Sequence, residues 1–254
     1  MGSATKECKR PHMHTNIVPS RIVTTQRLWR AHKRVGPPFL AEVADLDSAK
    51  LQLLAGIRAE VPDQRILRAF ERVLRKQFVP EESKNLAYED SPLPIGKGQT
   101  ISQPLIVALM IDALELRRTD RVMEIGTGSG YQAALISQIA DTVITVECIQ
   151  TLADSARERL RSGGYSRIEV VDAAQELGWP PAAPYDAIIV AAGAPRLPMG
   201  LIGQLVPGGR LVVPVGSLES QELMKVTRTD DSYSVKTMGS CRFVPLIGEE
   251  AWPA

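Results

Sequence analysis

Apolar positions recur along this chain in two rhythms, and the rhythm alternates. Val122, Met123 and Ile125 form a short apolar run that predicts a buried strand, and Tyr131 to Ile139 follows at helical spacing through Ala134, Leu135 and Ile139. Thr142 to Val146 predicts a second strand ending at Glu147, and Ile149 to Arg161 a helix closed by Gly163-Gly164. Ile168 to Val171 and Tyr185 to Pro195 predict a third and a fourth strand. Leu201 to Leu205 predicts a short helix, Pro207 to Gly209 a turn, and Arg210 to Val215 a fifth strand. From Gln221 the pattern alternates through Lys225 to Arg228 and Tyr233 to Phe243, as antiparallel strands do. Upstream, Asp47 or Ser48 caps a predicted helix to about Arg58 that carries Leu51, Leu54 and Ile57 on one face. A second helix starts at Pro62-Asp63, carries the stripe Ile66, Leu67, Phe70, Val73 and Leu74, and is stopped by Gln77 to Pro80. Leu86 to Ile95 reads as a proline-rich loop, and Ile106, Val107, Met110 and Leu114 mark one more helix. Strands alternating with helices predict an α/β fold around a mainly parallel sheet.

Between the first strand and its helix lies a tight glycine turn, Gly126, Thr127, Gly128, Ser129 and Gly130. Strand, glycine turn, helix is the opening of a nucleotide-binding βαβ unit, and residues without Cβ let the backbone pass close to a ligand. Glu147 ends the second strand, where a carboxylate can accept from the hydroxyls of a ribose. The spacing is GxGxG, and Glu124 stands just before the turn. A negative charge there repels a pyrophosphate and suits a cation. S-adenosylmethionine joins an adenosine ribose to a cation, so it is the expected cosubstrate; a glycine turn with no ligand is the bland alternative. Asp172, after the third strand, suits either an adenine amino group or a helix cap. The fourth strand ends in small residues, which leaves room over the carboxyl edge of the sheet. GKGQTISQP, Gly96 to Pro104, fits two roles equally: an N-cap through Ser102 or Thr100, or a loop whose hydroxyls and N–H groups hold an anion.

Composition narrows the classes. The 254 residues are 44% hydrophobic, enough for one large domain with appendages, and the net charge of +1 points to neither nucleic acid nor an anionic membrane. Cys8, Cys148 and Cys241 are odd in number and far apart, which predicts reduced thiols in a cytoplasmic protein and no metal site. No apolar run reaches membrane-spanning length, and the first twenty residues lack the apolar block of a signal peptide. Residues 1–45 form a basic arm, mobile or upstream of a later start at Met13. It holds Lys6, Lys9, Arg10, Arg21, Arg27, Arg30, Lys33 and Arg34, and all three histidines, His12, His14 and His32. A transit segment is the functional alternative for that arm, and His12 and His14 lack companion ligands. The expected domain is 46–254: a helical part to 95, a nucleotide-binding core from 96 to 215, and closing strands from 216.

Several stretches resemble one family. FVP at Phe78 to Pro80, AYEDSPLPIGKGQTISQP, EIGTGSGYQAA, YDAIIVAAGAP, QLVPGGRLVVPVG and FVPL at Phe243 to Leu246 are similar to protein-L-isoaspartate O-methyltransferases, over about Leu51 to Trp252. The resemblance implies a Rossmann-like seven-strand S-adenosylmethionine sheet with N-terminal helices and C-terminal antiparallel strands. It implies methyl transfer to isoaspartyl carboxylates in damaged proteins and peptides, by a monomer. Ser102, with Thr100, would be catalytic. Gln99, Ile101, Glu124, Gly126, Thr127, Gly128, Gly130, Glu147, Asp172 and Ala173 would hold the cosubstrate, and Gln221 the substrate. Two departures stand out. The family's Asp-Gly pair is Asp172-Ala173, at a backbone position that alanine would dislike if φ were positive, and its Pro-Arg before FVP reads Arg75-Lys76-Gln77. A carboxylate acceptor is already ionised at neutral pH, its pKa being about 4, so no strong general base is required. The competing readings are methylation of another peptide carboxylate, a non-catalytic cosubstrate binder, and an NAD-dependent dehydrogenase, which the GxGxG spacing and Glu124 disfavour.

Overall fold

The structure, a computed structural model, describes residues 46–253. The basic segment, with its histidines, Cys8 and Met13, lies outside the described residues. Helix α1 spans Leu46–Glu60 and buries Leu53, Leu54 and Ile57. It begins before Asp47 and Ser48, so neither residue is its cap; Asp47 sits in the first turn, where a carboxylate favours the free N–H groups. Helix α2, Gln64–Arg72, does have the expected cap: the Asp63 carboxylate accepts the Arg65 N–H at 2.7 Å. Its stripe buries Ile66, Leu67 and Phe70. The helix ends at Arg72, earlier than expected, because Val73 and Leu74 turn extended. That turn buries Val73 and drives Arg75 inward.

The next stretch corrects the predicted loop. β1, Leu93–Gly96, and β2, Gln99–Ile101, form an antiparallel hairpin. It turns through Lys97 (φ 55°) and Gly98 (φ 72°), and positive φ at both central residues matches the twist of a tight hairpin. Helix α3, Pro104–Ala113, starts at Gln103, so neither Ser102 nor Thr100 caps it. Its cap comes from far away in sequence. Asp90 accepts the Leu105 N–H at 2.8 Å through one oxygen and the Gln103 amide at 2.8 Å through the other.

The main sheet follows the predicted architecture. Its strands are β3 (Arg121–Ile125), β4 (Thr142–Glu147), β5 (Ile168–Asp172), β6 (Tyr185–Val190), β7 (Leu205–Gly216), β8 (Gln221–Arg228) and β9 (Tyr233–Cys241), in the order β5-β4-β3-β6-β7-β8-β9. β3 to β7 are parallel, and β8 and β9 are antiparallel. β7 starts five residues early and runs through the expected Pro207–Gly209 turn, its register slipping against β6 between Tyr185 and Ala187. The helices α4 (Tyr131–Ile136), α5 (Gln150–Ser162) and α6 (Met199–Gly203) pack on the faces. α4 stops short of Ile139, which nevertheless stays buried. One apolar layer gathers Val122, Leu135 and Val143 beneath α1 to α4, and the other gathers Met123, Ile144, Tyr185 and Leu205. β3 has β4 on one side and β6 on the other. Strand order therefore reverses at β3, the point where open α/β sheets take ligands.

Candidate functional site

A cavity of about 510 Å³ opens at that reversal. Its volume lies within the range of small-molecule sites. Gly126, Thr127 and Gly128 form one wall, Glu147 another, and Gln99, Thr100, Ile101 and Ser102 a third. The hairpin thus delivers the hydroxyl-bearing residues to the mouth of the glycine turn. The turn needs its glycines: Gly126 has φ 91° and Gly128 φ 52°, and a Cβ on Gly128 would meet the Ile95 side chain at 3.3 Å.

Glu147 serves the turn as well as the cavity. One oxygen accepts the Gly128 N–H at 2.8 Å, and the other accepts the Cys148 and Ile149 N–H groups at 3.0 Å each. A carboxylate offers about four acceptor positions, so roughly one remains for a ligand hydroxyl.

Glu124 differs from the expectation of a counter-charge. It is wholly buried, with the Thr145 hydroxyl donating to it at 2.5 Å and Thr127 in turn 2.7 Å from Thr145. Burial pushes its carboxyl up to about 8; the Thr145 and Gln132 side chains oppose that shift and the Glu147 charge adds to it. That shift favours the protonated form while no cation lies beside the carboxyl. Gln132 stands close enough to be felt, yet neither of its polar atoms completes a hydrogen bond, and neither does the second Glu124 oxygen. Three orphaned polar atoms therefore lie at the cavity floor, where a polar ligand group or water would satisfy them.

Three expected contacts fall elsewhere. Asp172 lies outside the cavity lining. Its carboxylate is half exposed and pairs with Arg157 at 2.5 Å. Gly130 starts α4 with φ 86° and packs its backbone toward Leu160, so it shapes the turn from behind. Gln221 is buried with both ends of its amide spent, donating to the Ser217 carbonyl and accepting the Phe243 N–H at 2.8 Å. It lies against Gly193, where a Cβ would come within 2.9 Å of it. Gln221 is thus a pin that holds the chain end, and it does not line the cavity. Ala173 does line it, without positive φ, and so without the strain its replacement of glycine suggested.

The remaining lining escaped the sequence. Gln132, Cys148 and Ala174–Gly178 contribute, as does the stretch from Val244 to Gly248. That last stretch returns beside the fourth parallel strand: Gly193 donates to Val244 at 2.7 Å, Leu246 to Gly193 at 2.9 Å, and the Trp252 indole to Gly193 at 3.1 Å. The FVPL motif was visible, but nothing local says that it closes a cavity wall.

Known proteins sharpen the picture. The family model described as protein-L-isoaspartate(D-aspartate) O-methyltransferase matches residues 49–251. A protein-L-isoaspartate O-methyltransferase of Methanoculleus marisnigri is 51% identical over 77% of this chain and 90% of its own length. Protein-L-isoaspartate O-methyltransferase 2 of Marinobacter nauticus is 53% identical over 76% of this chain and 89% of its own. A solved protein-L-isoaspartate O-methyltransferase superposes with TM-score 0.72 at 27% identity, over 79% of this chain and 66% of its own. A Plasmodium falciparum structure named for the same enzyme, solved with S-adenosyl-L-homocysteine, has TM-score 0.65 at 22% identity over 76% and 95%; it bears on the fold alone. With the doubly wound sheet, the cavity at its strand reversal and these similarities together, the chain belongs to the protein-L-isoaspartate(D-aspartate) O-methyltransferase family.

Proposed function

We propose that this chain transfers a methyl group from S-adenosylmethionine to the free carboxylate of isoaspartyl residues in damaged proteins and peptides. The observation that carries this reading is that Thr100 to Ser102, the glycine turn and Glu147 wall one cavity. The donor set fits the cosubstrate. Glu147 keeps an acceptor position for a ribose hydroxyl, glycine backbone borders the space, and orphaned Glu124 and Gln132 atoms await a polar group. When bound, S-adenosylmethionine supplies an electrophilic methyl on a sulfonium.

The chain's own groups then have simple tasks. The acceptor carboxylate arrives ionised, so no side chain has to remove a proton. Among the described residues the Ser102 hydroxyl takes no hydrogen-bond partner, which leaves it to orient that carboxylate, with Thr100 beside it. Ile101, buried against the core, anchors the strand between them. Holding two reactants in line can remove about 7 kcal/mol or more from a barrier. The acceptor, a peptide, would enter in extended form along the exposed hairpin. The following backbone amide nitrogen then attacks the ester carbonyl and expels methanol, closing a succinimide without the protein's help.

A monomer in the cytoplasm, with neither nucleic acid nor membrane as partner, is the proposed setting. In support, no helix among the described residues is long and apolar enough to cross a membrane, and Cys148 and Cys241 are free thiols. The test compares isoaspartyl and aspartyl peptides as methyl acceptors, with wild type and Ser102→Ala. Methylation confined to the isoaspartyl peptide, and about 100-fold slower in the variant, is expected for a lost orienting contact. Equal methylation of both peptides, or an undiminished variant, overturns the reading.

A further inference from the structure

Arg75 is the largest wholly buried side chain among the described residues, at 0% exposure. No carboxylate among the described residues forms an ion pair with it. Its guanidinium instead meets four backbone carbonyls. Nη1 donates to Ala87 at 2.8 Å and Glu89 at 3.2 Å, and Nη2 to Ser91 at 2.9 Å and Ser102 at 3.1 Å. Three of these acceptors hold one loop in shape. The fourth belongs to Ser102, which lines the cavity. The same loop reaches back from its other side: Asp90 grips the Gln103 amide and the Leu105 N–H, each at 2.8 Å. Ser102 and the residues that follow it are therefore fastened to Ala87–Ser91 from both flanks. The guanidinium also lies 6.0 Å from the ring of Tyr131, the first residue after the glycine turn. One cation thus bridges the acceptor strand and the cosubstrate turn.

We propose that Arg75, with Asp90, positions the serine: the pair forms a clamp that sets the distance between Ser102 and the glycine turn. This rests on the role given to Ser102 above. Four acceptors converging from two segments call for a planar fork with several fixed donors, which lysine lacks. Arg75 touches neither substrate nor cosubstrate and acts through the backbone it holds.

The experiment is a mutant cycle of Arg75→Lys and Ser102→Ala, with turnover on an isoaspartyl peptide and S-adenosylhomocysteine affinity both measured. Arg75→Lys is expected to lower turnover about 100-fold, the scale on which a misplacement of ~1 Å is felt, while affinity for S-adenosylhomocysteine stays within about 2-fold. On the Ser102→Ala background the same substitution is expected to cost under about 3-fold, because groups acting as a unit are not additive. Asp90 is exposed, so Asp90→Asn leaves the core intact and is run through the same cycle, with a loss of about 5-fold that vanishes in the serine variant. Equal losses on both backgrounds would make the clamp a general support of the fold and overturn the inference. An Arg75→Lys protein that does not fold, together with an Asp90→Asn protein of full turnover, overturns it too. Full turnover by Ser102→Ala alone sinks the underlying assignment, and is seen without touching Arg75.

Discussion

Replacing Glu124 with glutamine tests the chemistry of the cavity floor directly. In the folded protein its carboxyl is raised to about 8 from an ordinary value of 4.5, with burial as the largest cause. Between those values the folded state holds a proton that the unfolded chain has released. The part of the stability that depends on this group is therefore greatest below about pH 4.5, falls as pH rises, and levels off above about 8. Integrated from about pH 5 to about pH 8, the loss is on the order of 3–4 kcal/mol. For a domain of this size that corresponds to a fall of ~10 °C in Tm. Glutamine keeps the shape and can still accept the Thr145 hydroxyl, but it does not titrate. The difference in stability between Glu124→Gln and wild type should therefore grow by roughly 3–4 kcal/mol over that range, in favour of the variant. Urea unfolding of both proteins at several pH values measures it. Subtracting one curve from the other removes every titration the two proteins share. Parallel curves would refute the buried neutral acid. The same argument makes S-adenosylmethionine affinity at about pH 7 insensitive to the substitution, within about 3-fold. A loss of tenfold or more would restore the ionic role first expected of Glu124.

Glu147→Ala removes three hydrogen-bonded N–H partners along with a ribose contact, so calorimetry should find cosubstrate affinity down by 1–3 kcal/mol, or about 5- to 150-fold; unchanged affinity would show the ribose assignment to be wrong. Gln221→Ala should cost stability, about 2 kcal/mol from two orphaned buried partners, while the KM for peptide stays within about 2-fold; a KM change without a stability change would return Gln221 to the substrate. The Cys148 thiol is pushed up by burial and by the Glu147 charge, so alkylation at neutral pH should be slow and should slow further with S-adenosylhomocysteine present. Indifference to that ligand, followed by mass spectrometry, would place Cys148 away from the bound nucleoside.

The parallel sheet and the glycine turn were legible because their causes are local. Apolar runs such as Val122 to Ile125, and glycines that must take positive φ, carry their own signal. The hairpin was not legible, because Lys97 occupies a turn position where glycine, asparagine or aspartate would announce it. Proximity left Ser102 or Thr100 as a cap of α3 and an anion-holding loop as equal alternatives, whereas Asp90 supplies the cap from 15 residues away through tertiary structure. The same limit explains Asp172 and Gln221. Asp172 stands beside a lining residue in the chain and Gln221 was expected from the family resemblance, yet pairing with Arg157 in one case and with Phe243 in the other decides where their polar atoms point. Arg75 looked like part of a departure from a motif. Its importance shows only once four carbonyls from separate segments are seen to converge on it.

The segment from Val244 to Leu246, docked against Gly193 and secured by Trp252, makes one wall of the chamber separable from the rest. The glycine turn and the floor belong to the parallel sheet, whereas this wall is held to it by three hydrogen bonds at Gly193. Loosening those bonds opens the chamber while the sheet stays whole.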